Sequence, residues 1–105
     1  GGAAGKLLDA YKAKYGSDPA SNFAIYGVAA VQVILAAIEK SDGTRKSVND
    51  QVFSGSGITI PEDISAIGEG FTIDPKTGDT SVKNVTIEVV KNNKEETLKA
   101  WPITG

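Results

Sequence analysis

Apolar positions recur every three or four residues in the first half of the chain and every second residue in the last third. Lys6–Tyr15 places Leu7, Leu8, Tyr11 and Tyr15 at helical spacing, with lysines and Asp9 on the other faces, which predicts a short amphipathic helix. Gly16 suits the residue just past its end, and Ser17, Asp18 and Pro19 suit a turn. A second helix is predicted from Ser21 or Asn22 as N-cap, through Phe23, Ile25, Tyr26, Val28, Val31, Ile34, Leu35 and Ile38, to Glu39 and Lys40. Gln32 is the one strongly polar side chain between Phe23 and Ile38. That run falls short of the roughly 20 apolar residues of a membrane span, so burial between layers is expected.

Ser41–Thr44 ends the second helix, and Thr44 or Ser47 is placed to cap a third, RKSVNDQVF, that buries Val48, Val52 and Phe53. After the flexible corner Ser54–Gly57, Ile58–Ile60 reads as a brief strand and Pro61–Asp63 as a turn. Phe71–Asp74 alternates with period two, and Pro75 and Gly78 stand where a turn wants a preset and a permissive φ. Val82–Val90 alternates again, with Val85, Ile87 and Val89 on one face, which predicts a half-buried strand. Lys91–Lys94 reads as a hairpin connection. Glu95–Trp101 has the composition of either a returning strand or a last helical turn. The fold class is therefore α+β, three helices followed by two or three mostly antiparallel strands.

Composition narrows the chemistry. The 105 residues include neither Cys nor His, which removes disulfides, Cys/His zinc sites, thiol nucleophiles and histidine acid–base catalysis. Eleven basic and thirteen acidic side chains give a net charge of −2 without a basic stripe, so nucleic acid is not an expected partner. Glu62 and Asp63, Asp74 and Asp79, and Glu95 and Glu96 are the carboxylate pairs, and all sit in segments that read as solvated turns or edges. Asp74, Gly78 and Asp79 suit a structural turn; the cadence of a calcium loop is missing, and no metal, catalytic residue or cofactor is expected. The chain opens GGAAG and has no Met, so residues 1–5 read as a tag or processing remnant and the whole as a fragment of a longer protein.

The best candidate for binding is the start of the second helix. Ser21 and Asn22 lie where amide donors can hold a carboxylate, and Phe23 and Tyr26 can wall an apolar side chain.

Tyr11…Tyr15-Gly16…Pro19, the helix led by Tyr26, the short helix closing on Phe53 and Gly55, and GEGFTIDPKTGDTSVKNVTIEVVKNNKEE together carry a family likeness. Over about residues 6–100 the chain resembles the C-terminal portion of the branched-chain amino-acid binding proteins of ABC transporters, the type I extracytoplasmic solute receptors. The resemblance implies a larger two-lobed α/β fold that closes on ligand about a hinge. Residues 6–54 would be the helical part of one lobe and residues 55–105 its strand-rich return. It further implies an amino-acid ligand in the intact receptor, a membrane permease of an ABC importer as partner, an extracytoplasmic location and no enzymatic activity. Tyr26 matches the family tyrosine, and Ser21–Phe23 fall where the chain approaches the cleft. Gly27 and the long corner Gly55–Gly70 depart from the family pattern. The alternative is a self-contained interaction or structural module, and the apolar Phe23–Ile38 helix makes a homodimer of the chain a further expectation.

Overall fold

The computed structural model describes residues 2–103. It is a small α+β fold of three helices and two separate two-stranded antiparallel sheets. Four strands thus replace the two or three expected: the short runs Ile58–Ile60 and Phe71–Ile73 pair with each other, and Lys94–Pro102 resolves as a strand against Asn84–Lys91.

The first helix, α1, spans Ala3–Tyr15 and so takes in three residues of the GGAAG opening. Gly16 ends it in the left-handed region (φ 79°), its N–H donating to the Lys12 carbonyl at 2.8 Å, as expected of a glycine past a helix end. The second, α2, spans Ala24–Lys40. Neither Ser21 nor Asn22 is its N-cap. Phe23 takes that position with no side-chain acceptor, while Ser21 closes a turn one step earlier, its Oγ accepting from the Phe23 N–H at 3.2 Å and its carbonyl from the Ala24 N–H at 3.1 Å. A serine hydroxyl reaches the amide two residues on as readily as a cap donor, and here the turn wins. The third, α3, spans Arg45–Phe53, with Thr44 Oγ1 accepting from the Ser47 N–H. Among the described residues no single helix is long and apolar enough to cross a membrane.

Strand β1 (Ile58–Ile60) pairs with β2 (Phe71–Ile73), setting Ile58 against Ile73 and Ile60 against Phe71. Ile58, Ile60 and Phe71 join Ala29, Ala37 and Ala66 in a small core, with Leu7, Val33, Val48 and Val52 around it. Gly57 is required there: its φ is 72°, and a Cβ would stand 2.0 Å from the Ile73 carbonyl oxygen. Strands β3 (Asn84–Lys91) and β4 (Lys94–Pro102) form a hairpin through Asn92 and Asn93, whose φ values of 51° and 59° are those of a type I′ turn. A bulge near Ile87 and Glu88 leaves Leu98 without an opposite residue. Glu95–Trp101 is accordingly strand and not helix.

Burial departs from the sequence expectation in three places. Phe53 is exposed, because α3 ends with that residue turned outward. β3 is not half-buried: Val85, Ile87 and Val90 are exposed and only Val89 is partly covered, since no other element packs closely on the hairpin. α2 lies on β1 and α3 through Ala29, Val33, Ala36 and Ala37, while its far side stays open. The consequence is measurable in area. The chain exposes 7759 Å², where a folded monomer of its mass exposes about 5,600 Å². Its radius of gyration is 15.9 Å, against roughly 13 Å for a compact chain of this length.

Gln32, the lone polar side chain of the apolar run, fastens α2 to the loop after β1. Its Nε2 donates to the Ile64 carbonyl at 2.6 Å and its Oε1 accepts from the Ala66 N–H at 2.9 Å. One amide thereby satisfies both a donor and an acceptor of a backbone that enters the core at Ala66. Gln32→Ala is expected to cost about 1–2 kcal/mol in urea denaturation, and an unchanged midpoint would show that the clasp contributes nothing.

Candidate functional site

The four candidate binding residues cluster where the 17–23 segment turns into α2. Phe23 is 78% exposed and Tyr26 54% exposed, with ring centroids 6.0 Å apart and planes tilted by 42°. Ser21 and Asn22 are exposed beside them. The structure thus brings together all four, and presents two aromatic rings to the outside. The donor set is smaller than the sequence suggested. The amides of Phe23, Ala24 and Tyr26 already donate to Ser21 Oγ, the Ser21 carbonyl and the Phe23 carbonyl. Within the described residues the cluster is therefore an exposed aromatic pair flanked by the Ser21 and Asn22 side chains, with three of its backbone amides already engaged.

Surface depressions lie elsewhere. One of about 460 Å³ sits against the turn after β2, between Thr72, Asp74, Thr77, Thr80 and Lys83. Another of about 400 Å³ lies between the start of α1 and the loop after β1, at Ala3, Lys6, Glu62 and Asp63. Both acids there are exposed, which leaves them without the burial that would set up acid–base chemistry.

Asp74, Gly78 and Asp79 are held in a closed turn. Asp74 Oδ1 accepts from the Lys76 N–H at 2.7 Å, its carbonyl from the Gly78 N–H at 2.8 Å, and its own N–H donates to the Asp79 carbonyl at 2.8 Å. Gly78 supplies the positive φ of 77°. The Asp74 carboxylate is thus spent on the backbone, which makes the turn a piece of architecture that aims β2 back toward Thr80 and Ser81. Among the described residues no three acidic side chains converge on a point that would hold a metal ion.

Two residues that sequence reasoning did not assign stand out. Gln32 was visible as the single polar break in an apolar helix, but its partners lie 32 and 34 residues away. Ser65 is fully buried in the core next to Ala66, and nothing in its local sequence distinguishes it from a loop serine.

At the junction of α2 and α3, Asp42 Oδ1 accepts from both the Thr44 hydroxyl (2.7 Å) and the Thr44 N–H (2.9 Å). The Thr44 side chain first, then its amide, hold the Asp42 carboxyl below its ordinary value of 3.8. A carboxyl depressed in the folded state adds stability that is complete above the unfolded value and fades as pH falls through the folded one. Asp42→Ala is therefore expected to lower the urea midpoint near neutral pH, with the gap to the parent closing as pH drops below 3.8; a gap constant across that range would contradict the assignment. Comparison of the chain with known protein families, with curated proteins and with solved structures finds no match.

Proposed function

We propose that this chain is the C-terminal part of an extracytoplasmic receptor for branched-chain amino acids that hands its ligand to the permease of an ABC importer. The observation that carries the reading is α2, a helix without a charged side chain from Ala24 to Ile38 that the chain covers on one side only. A helix apolar on all sides belongs inside a larger body, and an upstream α/β lobe supplies that body. The bare β3–β4 hairpin fits the same reading, because an isolated two-stranded sheet is marginal in water and needs a surface to lie on. The sequence resemblance supports the identity of the receptor.

In this reading the Phe23 and Tyr26 rings form one apolar wall of the ligand cleft. The α-carboxylate and ammonium are held by amides, hydroxyls and an acidic group of the facing lobe, and hinge closure brings the two halves together. The same bare α2 face also favours a second reading, a self-contained interaction module without a small-molecule ligand.

Calorimetry separates the two. The 105-residue chain alone is expected to give no heat with leucine, isoleucine or valine, and micromolar binding by it would contradict an incomplete site. Joined to the segment encoded before Gly1, expected to hold roughly 200–300 residues of alternating strands and helices, it is expected to bind one of these amino acids. Phe23→Ala or Tyr26→Ala then weakens that binding at least about tenfold. An upstream segment without such alternation, or a joined protein indifferent to all three amino acids, would leave only the interaction module standing.

A further inference from the structure

Of the seven aspartates and five asparagines in the chain, Asp42 alone is followed by glycine. At an aspartyl–glycyl step a peptide chain rearranges most readily, because glycine has no Cβ to shield its amide nitrogen from the neighbouring carboxyl. This step lies in the exposed connection between α2 and α3, open to the water that the rearrangement both releases and takes up. Both reacting groups are engaged. Asp42 Oδ1 accepts from the Thr44 hydroxyl at 2.7 Å and the Thr44 N–H at 2.9 Å, and the Gly43 N–H donates to Ser41 Oγ at 3.0 Å. That serine hydroxyl is itself anchored, donating to the Ile38 carbonyl at 2.8 Å. Gly43 holds a φ of 86°, which glycine adopts without steric cost.

We propose that Asp42–Gly43 is the chain's site of aspartate isomerisation, held closed by the Ser41–Thr44 junction in the folded state and released when that junction comes apart. In the first step the Gly43 nitrogen attacks Cγ of the protonated Asp42 carboxyl. A C–N bond forms, a C–O bond breaks, and the departing hydroxyl leaves as water with the amide proton. Water then adds back across one of the two carbonyls of the cyclic imide. Opening at the former main-chain carbonyl leaves the chain linked through Cγ as isoaspartate, with no net change in mass or oxidation state. The two bonds from Thr44 oppose the first step: they favour the ionised carboxylate, which has no oxygen ready to leave as water, and they aim Oδ1 at residue 44. The Ser41 bond opposes it by occupying the Gly43 N–H. Isomerisation also has a structural consequence. It adds a methylene to the backbone and moves the free carboxylate onto Cα, which dismantles the clasp on Thr44. Thr44 caps α3 by accepting from the Ser47 N–H, and α3 seats Val48 and Val52 against the core. The junction thus couples a chemical change at one exposed residue to the docking of a helix.

Incubation at neutral pH followed by trypsin reads the step directly, because cleavage after Lys40 and Arg45 releases Ser41–Arg45 with Asp42 inside. The isoaspartyl form of that peptide separates chromatographically at unchanged mass, and a methyltransferase specific for isoaspartyl carboxylates labels it from S-adenosylmethionine. The native chain is expected to accumulate isoaspartate at residue 42 at least about tenfold more slowly than the same chain unfolded in guanidinium chloride. Thr44→Val and Ser41→Ala are each expected to raise the folded rate at least about threefold, and Thr44→Ser, which keeps the hydroxyl, to leave it at the parent value. Helical circular dichroism establishes that each variant is folded before its rate is counted. The isomerised chain is expected to unfold at a lower denaturant midpoint than the parent. Equal rates in the native and unfolded chain would overturn the proposal. So would an unfolded chain that forms isoaspartate at another residue in preference to Asp42, or folded Thr44→Val and Ser41→Ala that both keep the parent rate.

Discussion

A helix of 17 residues with no charge before Glu39 has more apolar surface than the rest of this fold covers, and that constraint shapes everything around it. The available core is small: three alanines, two isoleucines and a phenylalanine are the buried apolar residues among those described. Those residues suffice for one side of α2. Small side chains at Ala29, Ala36 and Ala37 let the helix lie close on β1, where Ile58 and Ile60 point inward. On the other side, valine, isoleucine and leucine meet solvent.

What seats α2 in one orientation is polar. Apolar contact is non-directional, and a helix apolar all round could rotate about its axis at little cost in buried area. The Gln32 amide removes that freedom by pairing with a carbonyl and an N–H two residues apart on the same loop, as a strand would. Fixing Gln32 inward fixes Ala29 and Ala36 beside it, and by the same rotation turns Gly27, Val31 and Ile38 outward. The clasp and the exposed ridge are therefore two consequences of one helix orientation.

Local chemistry was readable from the sequence and tertiary cover was not. Gly16, Thr44, the Asp74–Asp79 turn and the Asn92–Asn93 hairpin behave as their residue types dictate, because each rests on bonds spanning no more than five positions. The Ser21 hydroxyl serves a turn where its residue type also suits a cap, because the two geometries differ by a single step along the chain and use the same hydroxyl. Val85, Ile87 and Val89 have the alternation of a half-buried strand, but alternation states only which face seeks cover and not that cover is present. The binding cluster was legible as far as its members: Ser21, Asn22, Phe23 and Tyr26 do lie together. Its unavailable amides followed from the turn, which the sequence pattern had placed elsewhere.

The central claim is that the Gln32 clasp sets the rotation of α2, holding Ala29 in the core and leaving Val31 in solvent. The most direct measurement is the rate of thiol alkylation of Ala29→Cys with Gln32 present and with Gln32→Ala, with Lys46→Cys at the exposed surface of α3 as control. The account predicts that residue 29 labels at least about tenfold more slowly than residue 46 and that Gln32→Ala removes most of that protection. Protection at residue 29 unchanged by Gln32→Ala, or equal labelling at residues 29 and 46 with Gln32 present, would contradict it.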